Sequence, residues 1–597
     1  MFNLKSSSKL SATLLALILG ASVFMAGQVW AAKYVTDPTT GKVVTAPEYG
    51  GTLTYVFTGT LRGADSWFGW GAGMLVSGVI EKLGIGNWGI DRDVVNFHPL
   101  FIPELALTGA LAESWETPDP LTYIFHIRQG VRWHNKAPMN GRELTAEDVE
   151  YNFHRLYGLG DFTAAGPSPH SIEEIKFPME SIAATDESTL VVKLKEPRLT
   201  ALTDLLIHWA VYINPPEVIE QHGDVADWQN VVGTGPYELT DFIKGSSFTH
   251  TKNPDYWGHD EKYPENRLPY IDELKALIIK EEATYLAALR SGRVDYLGYI
   301  GGALKSLDQV ESLQKTNPEI ALHSYDVLAR LNPAFNDRFE SLTNDVRVRH
   351  AMQMALDLET INATYLGGAA DWQPQGMIGT GVVGYNTPFE EWPEELKRYY
   401  SYDPAAAEAL LDEAGYPRGA DGIRFKLPFH LVAAGQRADL GYAELAVAYW
   451  AAIGVEAEMR NVDTPTGVAM ANAHDWEGLL FGLTAGAYDY PPLVPLVAFQ
   501  SEGWTPSGAN DPVYDAMYEE VAAATTIEEQ KRLAKEADMY AMAKHFVLWG
   551  PKAPNYAAIQ PWIIGYNGEG QISRSGRSVE IFARLWIDQE LKKAMGN

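Results

Sequence analysis

Two tryptophans in an early glycine-rich loop are the residues of this sequence best placed to do chemistry. Trp67 and Trp70 lie in the segment Ser-Trp-Phe-Gly-Trp-Gly at 66–71, directly after a predicted strand. An indole left in a loop is costly unless it covers a ligand or a neighbouring surface, and binding residues are often carried on loops. The pattern predicts non-covalent binding on flat aromatic faces, with ordinary packing of the two rings as the alternative.

Motifs for covalent or metal-dependent catalysis are absent from the sequence. It contains no cysteine, no Gly-x-Ser-x-Gly, no Gly-x-x-x-x-Gly-Lys and no His-Glu-x-x-His. The 14 histidines are dispersed, and the most suggestive pair, His126 and His134, is more typical of structural histidines than of ligands. We therefore expect no catalytic residue, no metal site and no cofactor. A secreted hydrolase is an alternative only because 77 acidic residues could supply a carboxylate pair.

Strand and helix signals alternate along the chain and indicate a mixed α/β fold. Segments 50–57, 122–127 and 189–194 combine β-branched and aromatic residues between turn formers, which is typical of strands. These strands, together with the helices between them, must position any binding loop.

Helix starts are predicted from caps and periodicity. Apolar residues spaced three and four apart within 348–355 predict a helix that begins near 344–345. Asp403 is a predicted N-cap, with Pro404 in the first turn and Gly415 at the end of the helix. These helix starts, together with the predicted strands, indicate a mixed α/β architecture with many short elements.

The first 31 residues predict an export signal. Lys5 and Lys9 are followed by the apolar run 14–25, which is too short to span a bilayer as a helix, since a span needs ~20 apolar residues. Small residues at Val29 and Ala31 predict cleavage after Ala31 and a periplasmic mature chain, with an N-terminal membrane anchor as the alternative. Because the chain lacks cysteine, we expect neither a lipid anchor nor a disulfide.

The formal net charge of −30 narrows the range of partners. Nucleic acids and anionic lipid surfaces require a basic patch, so we expect neither as a partner. No later run of the sequence is apolar enough to span a membrane. A chain of 597 residues exceeds what one core supports, so we expect two or more domains, in a monomer.

Ordered sequence blocks cover the chain from about residue 50 to its C-terminus. They are Leu-Ala-Glu-Ser-Trp at 111–115, 121–128, Gly-Val-Arg-Trp-His at 130–134, 144–153, Gly-Thr-Gly-Pro-Tyr at 233–237, Lys-Asn-Pro-Asp-Tyr-Trp at 252–257, Asp-Val-Arg-Val-Arg at 345–349 and 402–417. Together they resemble the family 5 extracellular solute-binding proteins, the oligopeptide- and dipeptide-binding class that serves ABC importers. Most of these blocks make caps and turns, such as Thr145 with Asp148, and so do not identify the ligand.

The resemblance implies a bilobal α/β fold of the large, three-domain periplasmic-binding-protein type, with mixed sheets and a two-strand hinge. It implies the following division: signal peptide 1–31, lobe 1 at 32–94 and 209–301, a small inserted domain of lobe 1 at 95–208, lobe 2 at 302–554, and a C-terminal return to lobe 1 at 555–597. A small-molecule or peptide ligand would be captured between the lobes and delivered to the permease subunits of an ABC importer. A periplasmic sensor or chaperone partner with the same fold is an alternative.

The ligand class depends on a loop late in lobe 2. Peptide binders of this family place an aspartate for the ammonium group ahead of a proline; here Gly486 or Ala487 falls at that position, and Asp489 follows shortly after it. We favour a peptide held by Asp489, and keep open an oligosaccharide stacked on the early indoles, or a metal chelate or haem-like ligand. The candidate ligand-binding residues are Trp67, Trp70, Arg330, Asn332, Trp372, Trp476, Tyr488, Asp489, Tyr490 and Trp549.

Overall fold

Two large hydrophobic cores are built from different parts of the chain. The computed structural model describes residues 33–59, 64–65, 67, 73–99, 101–168, 178–299, 301–325, 332–339, 341–433, 438–483, 491–501, 507–573 and 579–597. The first core extends from Leu53 to Tyr325 and resumes from Ala557 to Ile587, whereas the second lies wholly between Ala334 and Trp549. The fold is therefore the predicted bilobal α/β fold. Lobe 1 contains both ends of the described chain, and lobe 2 is the part between them.

Short strands and helices alternate along both lobes. The strands are β1 Tyr34–Thr36, β2 Val43–Thr45, β3 Thr52–Phe57, β4 Gly84–Gly86, β5 Leu107–Gly109, β6 Ala112–Asp119, β7 Thr122–Ile127, β8 Met179–Asp186, β9 Thr189–Leu194, β10 Tyr237–Ile243, β11 Ser247–Lys252, β12 Glu273–Ile278, β13 Tyr296–Leu297, β14 Ala321–Tyr325, β15 Ala334–Phe335, β16 Phe425–Val432, β17 Val455–Val462, β18 Leu479–Phe481, β19 Asn555–Ile559, β20 Ile563–Ile564 and β21 Trp586–Ile587. The α-helices are α1 Gly73–Val76, α2 Ala146–Tyr157, α3 Ala201–Ile207, α4 Pro216–His222, α5 Glu282–Arg290, α6 Leu307–Thr316, α7 Val346–Met354, α8 Leu358–Tyr365, α9 Glu394–Lys397, α10 Pro404–Glu413, α11 Leu440–Ala452, α12 Thr464–Asn472, α13 Leu493–Val497, α14 Pro512–Ala523, α15 Ile527–Lys544 and α16 Gln589–Ala594. The 3-10 helices are Glu104–Ala106, Gly160–Phe162, Trp228–Asn230, Leu342–Asn344, Phe389–Glu391, Arg398–Tyr400 and Val579–Arg584.

Lobe 1 is organised around a seven-stranded mixed sheet in the order β10-β11-β12-β3-β13-β19-β14. Successive side chains of β3 point to opposite faces, so Tyr55 lies in the large core of lobe 1 while Val56 packs with Leu297 and Ala558 on the other face. Both faces of the sheet are therefore buried, as its apolar central strands require.

Two neighbouring strands of this sheet lead to and from lobe 2. β14 ends at Tyr325, shortly before the lobe 2 core begins, and β19 starts at Asn555, shortly after that core ends. The two strands pair antiparallel, with Leu322 opposite Ala558. They correspond to the two-strand hinge that the resemblance implies.

A second antiparallel sheet of lobe 1 has the order β6-β7-β9-β8. Helix α2 packs on it, and Thr145 and Asp148 form the predicted capping box at the start of this helix. Val149 and Phe153 then bury one face of α2 in a core that is continuous with the rest of lobe 1. The division of lobe 1 at residues 95 and 208 stays a prediction.

Lobe 2 contains a four-stranded sheet in the order β15-β18-β16-β17, flanked by helices. The predicted cap at Asp403 is confirmed, because its carboxylate accepts the N–H of Ala406 at 2.9 Å. The helix predicted to begin near 344–345 starts at Val346, and the Asp345 carboxylate caps it by accepting the N–H of Arg347 at 2.9 Å. These bonds satisfy N–H groups that would otherwise have no partner in the first turns of α7 and α10.

The predicted strands 122–127 and 189–194 are confirmed as β7 and β9. The opening strand begins at Thr52 rather than at Gly50. Gly50 and Gly51 have φ angles of +114° and +87°, which lie outside the β region, so the two glycines turn the chain into the sheet instead of extending it.

Candidate functional site

A cleft of about 300 Å³ lies where lobe 1, the hinge and lobe 2 meet. Lobe 1 contributes the loop 96–99, the hinge contributes the end of β14, and lobe 2 contributes Thr380 and Gly381 from the loop that precedes the 3-10 helix Phe389–Glu391. The lining residues are Asn96, His98, Pro99, Ser324, Tyr325, Thr380 and Gly381. Because both lobes and the segment joining them line this cavity, its shape depends on the relative position of the lobes.

The lobe 1 wall is held by Phe97. This residue is 1% exposed and has a φ of +57°, a conformation that is uncommon outside glycine. Its carbonyl accepts the N–H of Gly570 at 2.8 Å, and the guanidinium carbon of Arg92 lies 5.1 Å from its ring centroid. With Phe97 anchored in the core, its neighbours Asn96 and His98 are left to face the cleft.

Asn96 and His98 are also joined to each other. The side-chain oxygen of Asn96 accepts the backbone N–H of His98 at 2.9 Å. On its other side, His98 Nε2 lies 3.5 Å from the carbonyl oxygen of Asn567. The imidazole is therefore positioned by lobe 1 groups before any ligand contact.

The lobe 2 wall rests on a buried carboxylate. Asp538 of α15 is 0% exposed, and its Oδ1 accepts the N–H of Met377 at 2.7 Å, in the loop that leads to Thr380. Gly376 has a φ of +82°, and a Cβ at this position would collide with Asp538 Oδ2. Burial raises the pKa of the Asp538 carboxyl to about 7, although N–H bonds from Met377 and Ile378 oppose the rise.

The hinge wall is aromatic and polar. Tyr325 is 6% exposed, and its ring lies 5.6 Å from that of Tyr299 in an edge-on arrangement. Ser324 precedes it and is paired with Tyr556 of β19 in the strand register. Behind the cleft, His323 packs edge-on against Tyr566 at 5.4 Å, and burial lowers the pKa of this histidine.

The chemistry of the lining is that of a binding site for uncharged polar groups. The lining residues carry an amide, an imidazole, two hydroxyls and a phenol, and none of the described lining residues carries a carboxylate, an ammonium or a guanidinium group. These groups can exchange hydrogen bonds with amides or hydroxyls. Across the described part of the chain, no three His, Asp or Glu side chains are grouped closely enough to hold a metal ion.

Trp67, predicted to contact ligand, is occupied by lobe 1 contacts. Its backbone N–H is donated to Asp65 at 2.9 Å, and its indole N–H is donated to the carbonyl oxygen of Arg155 at 3.3 Å. The Arg155 guanidinium also lies over the indole, 5.3 Å from the ring centroid. These contacts fix the orientation of the half-buried ring.

The described lobe 2 candidates are mostly buried. Asn332 and Trp549 are 0% exposed and Trp476 is 2% exposed, whereas Trp372 is half-buried against the lobe 2 core. None of them, nor Trp67, is among the lining residues of the 300 Å³ cleft. The other candidates lie outside the described residues: Trp70, Arg330, Tyr488, Asp489 and Tyr490. All of these assignments stay predictions.

The lining side chains themselves were missed by sequence reasoning. His98 precedes a proline in a mostly apolar segment, and Ser324 lies next to the end of a short strand, which are signals for a turn and a strand end but carry no functional signature. Thr380 lies in a glycine-rich loop of the same kind as many others in this chain. These residues are recognised as cleft-lining residues only because the fold brings them together in three dimensions.

Sequence comparison shows that this chain is similar to known bacterial solute-binding proteins. The family model of the bacterial extracellular solute-binding proteins, family 5, matches residues 106–505. Heme-binding protein A of Haemophilus influenzae is 27% identical over 76% of this chain and 81% of its own length, and the dipeptide-binding protein of Escherichia coli is 27% identical over 58% and 62%. Both are named as binding proteins rather than enzymes.

A solved structure shows the same fold. The ABC transporter-associated periplasmic binding protein DppA from Helicobacter pylori, in complex with the peptide STSA, superimposes with a TM-score of 0.70 at 20% identity. The match covers 91% of this chain and 99% of that protein. In the described part of the chain, every helix is too short or too polar to cross a bilayer.

Proposed function

This chain belongs to the bacterial extracellular solute-binding proteins of family 5, and we propose that it is the substrate-binding protein of an ABC importer. It captures a small polar solute between its lobes and delivers the solute to the membrane permease. The observation that carries this proposal is the cleft between Asn96, Ser324 and Thr380, which receives one wall from each lobe and one from the hinge. A ligand bound there contacts both lobes and favours their closed arrangement.

We propose that the solute is a short peptide. The named ligands of two relatives, a dipeptide and the peptide STSA, support this choice. The cleft volume of about 300 Å³ lies at the lower end of ligand pockets, and its amide, hydroxyl and imidazole groups suit the hydrogen-bonding groups of a peptide main chain. In this proposal Asp489 holds the peptide's ammonium group, since the described lining has no carboxylate.

The proposed compartment is the periplasm, with the mature chain beginning after Ala31. Family membership and the predicted export signal support it. The two relatives named above are binding proteins, which supports a receptor rather than an enzyme, and the closed shape of the loaded receptor gives the permease a way to recognise it.

Thermal shift of the refolded, ligand-free chain tests the proposal. Libraries of dipeptides and tripeptides, of oligosaccharides, and haem are compared at equal concentrations. At about 100 times its dissociation constant, the cognate peptide should stabilise the fold by ~2.7 kcal/mol. Stabilisation by an oligosaccharide or by haem alone would refute the peptide assignment, and no shift from any of the three would contradict the capture of these solutes.

Two further measurements sharpen the test. Asp489→Asn should weaken binding of a peptide with a free amino group but not of its N-acetylated form, because only the former carries the ammonium group. Mass spectrometry of the recovered ligand should show it chemically unchanged, whereas a cleaved peptide would favour the hydrolase alternative.

A further inference from the structure

One aromatic side chain of lobe 1 crosses to the other lobe. Phe101 lies between β4 and the 3-10 helix Glu104–Ala106, both of which belong to lobe 1. Its ring nevertheless packs, half-buried, against the hydrophobic core of lobe 2. Its immediate neighbour Ile102 is 2% exposed and lies in the lobe 1 core. Adjacent residues of one loop therefore bury their side chains in different lobes.

The same loop forms the lobe 1 wall of the cleft. Asn96, His98 and Pro99 line it, and the segment is fixed to lobe 1 on both sides by Phe97, 1% exposed, and Ile102. His98 and Phe101 are three residues apart, a separation of at most ~11 Å along the chain. The ligand-facing groups and the interlobe contact thus belong to one short segment that moves with lobe 1.

We infer that Phe101 is a latch that couples occupation of the cleft to closure of the lobes. The inference rests on the proposed capture of solute between the lobes. Because Phe97 and Ile102, on either side of Phe101, are anchored in the lobe 1 core, separation of the lobes withdraws the Phe101 ring from lobe 2 and exposes it to water. Burial of this ring therefore favours the closed state, and the observed affinity for solute falls in proportion to the closed fraction that is lost.

Distances between spin labels test the latch without any ligand. The chain has no cysteine, so V94C and V383C place labels uniquely on either side of the cleft mouth. Val94 is 63% exposed and lies two residues before Asn96, and Val383 is 80% exposed and lies two residues after Gly381. Pulsed electron paramagnetic resonance then reports the ratio of open to closed molecules.

Phe101→Ala should raise the ratio of open to closed molecules by ~tenfold, because most of the apolar contact is lost. Phe101→Leu should give a smaller rise. Leu105→Ala is the matched control: Leu105 is an apolar side chain near the same loop that is 68% exposed, and the ratio should not change. Circular dichroism verifies that each variant is folded.

A folded Phe101→Ala variant with the distance distribution of the parent would overturn the latch. So would an equal rise in the Leu105→Ala control. Because no solute is present, failure of the peptide assignment leaves this result untouched. A latch that is confirmed while no solute binds would instead count against the proposed capture.

Discussion

Replacing Asp538 with asparagine removes the titration of a carboxyl that lies wholly inside lobe 2, beneath the cleft wall. Asp538 is 0% exposed, and it holds the loop that carries Thr380 through the N–H of Met377. Asparagine keeps the size of the side chain and an oxygen that can accept this bond, so the change isolates the cost of burying a charge.

The expected change in unfolding free energy follows from the shift in the pKa of Asp538. Burial raises the pKa of Asp538 from 3.8 to about 7. Since the folded-state value is the higher one, proton binding stabilises the fold fully below about pH 4, and this contribution is lost as the pH rises through about 7. The unfolding free energy of the parent should therefore fall by ~3 kcal/mol relative to the variant between pH 5 and pH 8. Glu81, whose pKa burial also raises to about 7, is present in both proteins and cancels in the difference.

The assay is urea unfolding of the ligand-free parent and variant across this pH range, read by amide hydrogen exchange in α15 so that lobe 2 is followed on its own. Asp463→Asn is the control, because Asp463 is an exposed N-cap in lobe 2 whose pKa is lowered by hydrogen bonds from Thr466. Because stabilisation from a lowered pKa is complete above about pH 4 and is lost only at lower pH, this control should show no pH-dependent difference from the parent between pH 5 and pH 8. Parallel pH profiles for parent and Asp538→Asn would refute the reasoning, and a parent that gains stability with pH would show that the N–H bonds outweigh burial.

The remaining predictions concern the support of Trp67 and the walls of the cleft. A carboxylate oxygen of Asp65 lies 2.8 Å from the buried Arg155 guanidinium, so Asp65→Asn leaves this cation without its charged partner. The substitution should lower the unfolding free energy by ~3–5 kcal/mol in urea titrations. An unchanged unfolding midpoint would contradict a structural role for this pair. Ser324→Ala and Thr380→Ala should each weaken binding of the peptide found by thermal shift by ~0.5–1.5 kcal/mol, measured by calorimetry. Unchanged affinity in both would place the solute elsewhere.

Features determined by near neighbours in sequence were predictable. The caps at Thr145 and Asp403 depend on bonds to residues three positions away, and both are present in the structure. The strand at 122–127 depends on a local run of β-branched and aromatic side chains. In each case the physical cause lies within the segment itself.

The cleft could not be predicted in this way. Asn96, Ser324 and Thr380 come from three distant parts of the chain, and their meeting depends on the hinge and on the anchoring of two loops by Phe97 and Asp538. No local sequence pattern predicts that these three distant residues line the same cleft.

The tryptophans show a second limit of sequence reasoning. A ring that covers a ligand and a ring that fills a core have the same composition signature, because both need a large apolar face. Trp549, predicted to contact ligand, is 0% exposed within the lobe 2 core. The Trp549 indole therefore packs in the lobe 2 core, and this packing alone accounts for a large apolar side chain at this position.

The position of β19 in the lobe 1 sheet has a consequence for how the protein is made. β19 lies between β13 and β14, yet it is synthesised only after the whole of lobe 2. Among the described strands, β14 pairs only with β19, so it cannot join the lobe 1 sheet until β19 has been synthesised. Pairing of strands so distant in sequence is slow, because a long loop must close first. For the exported protein that we propose, this order keeps β14 unpaired, and the lobe 1 sheet incomplete, until β19 has also crossed the membrane.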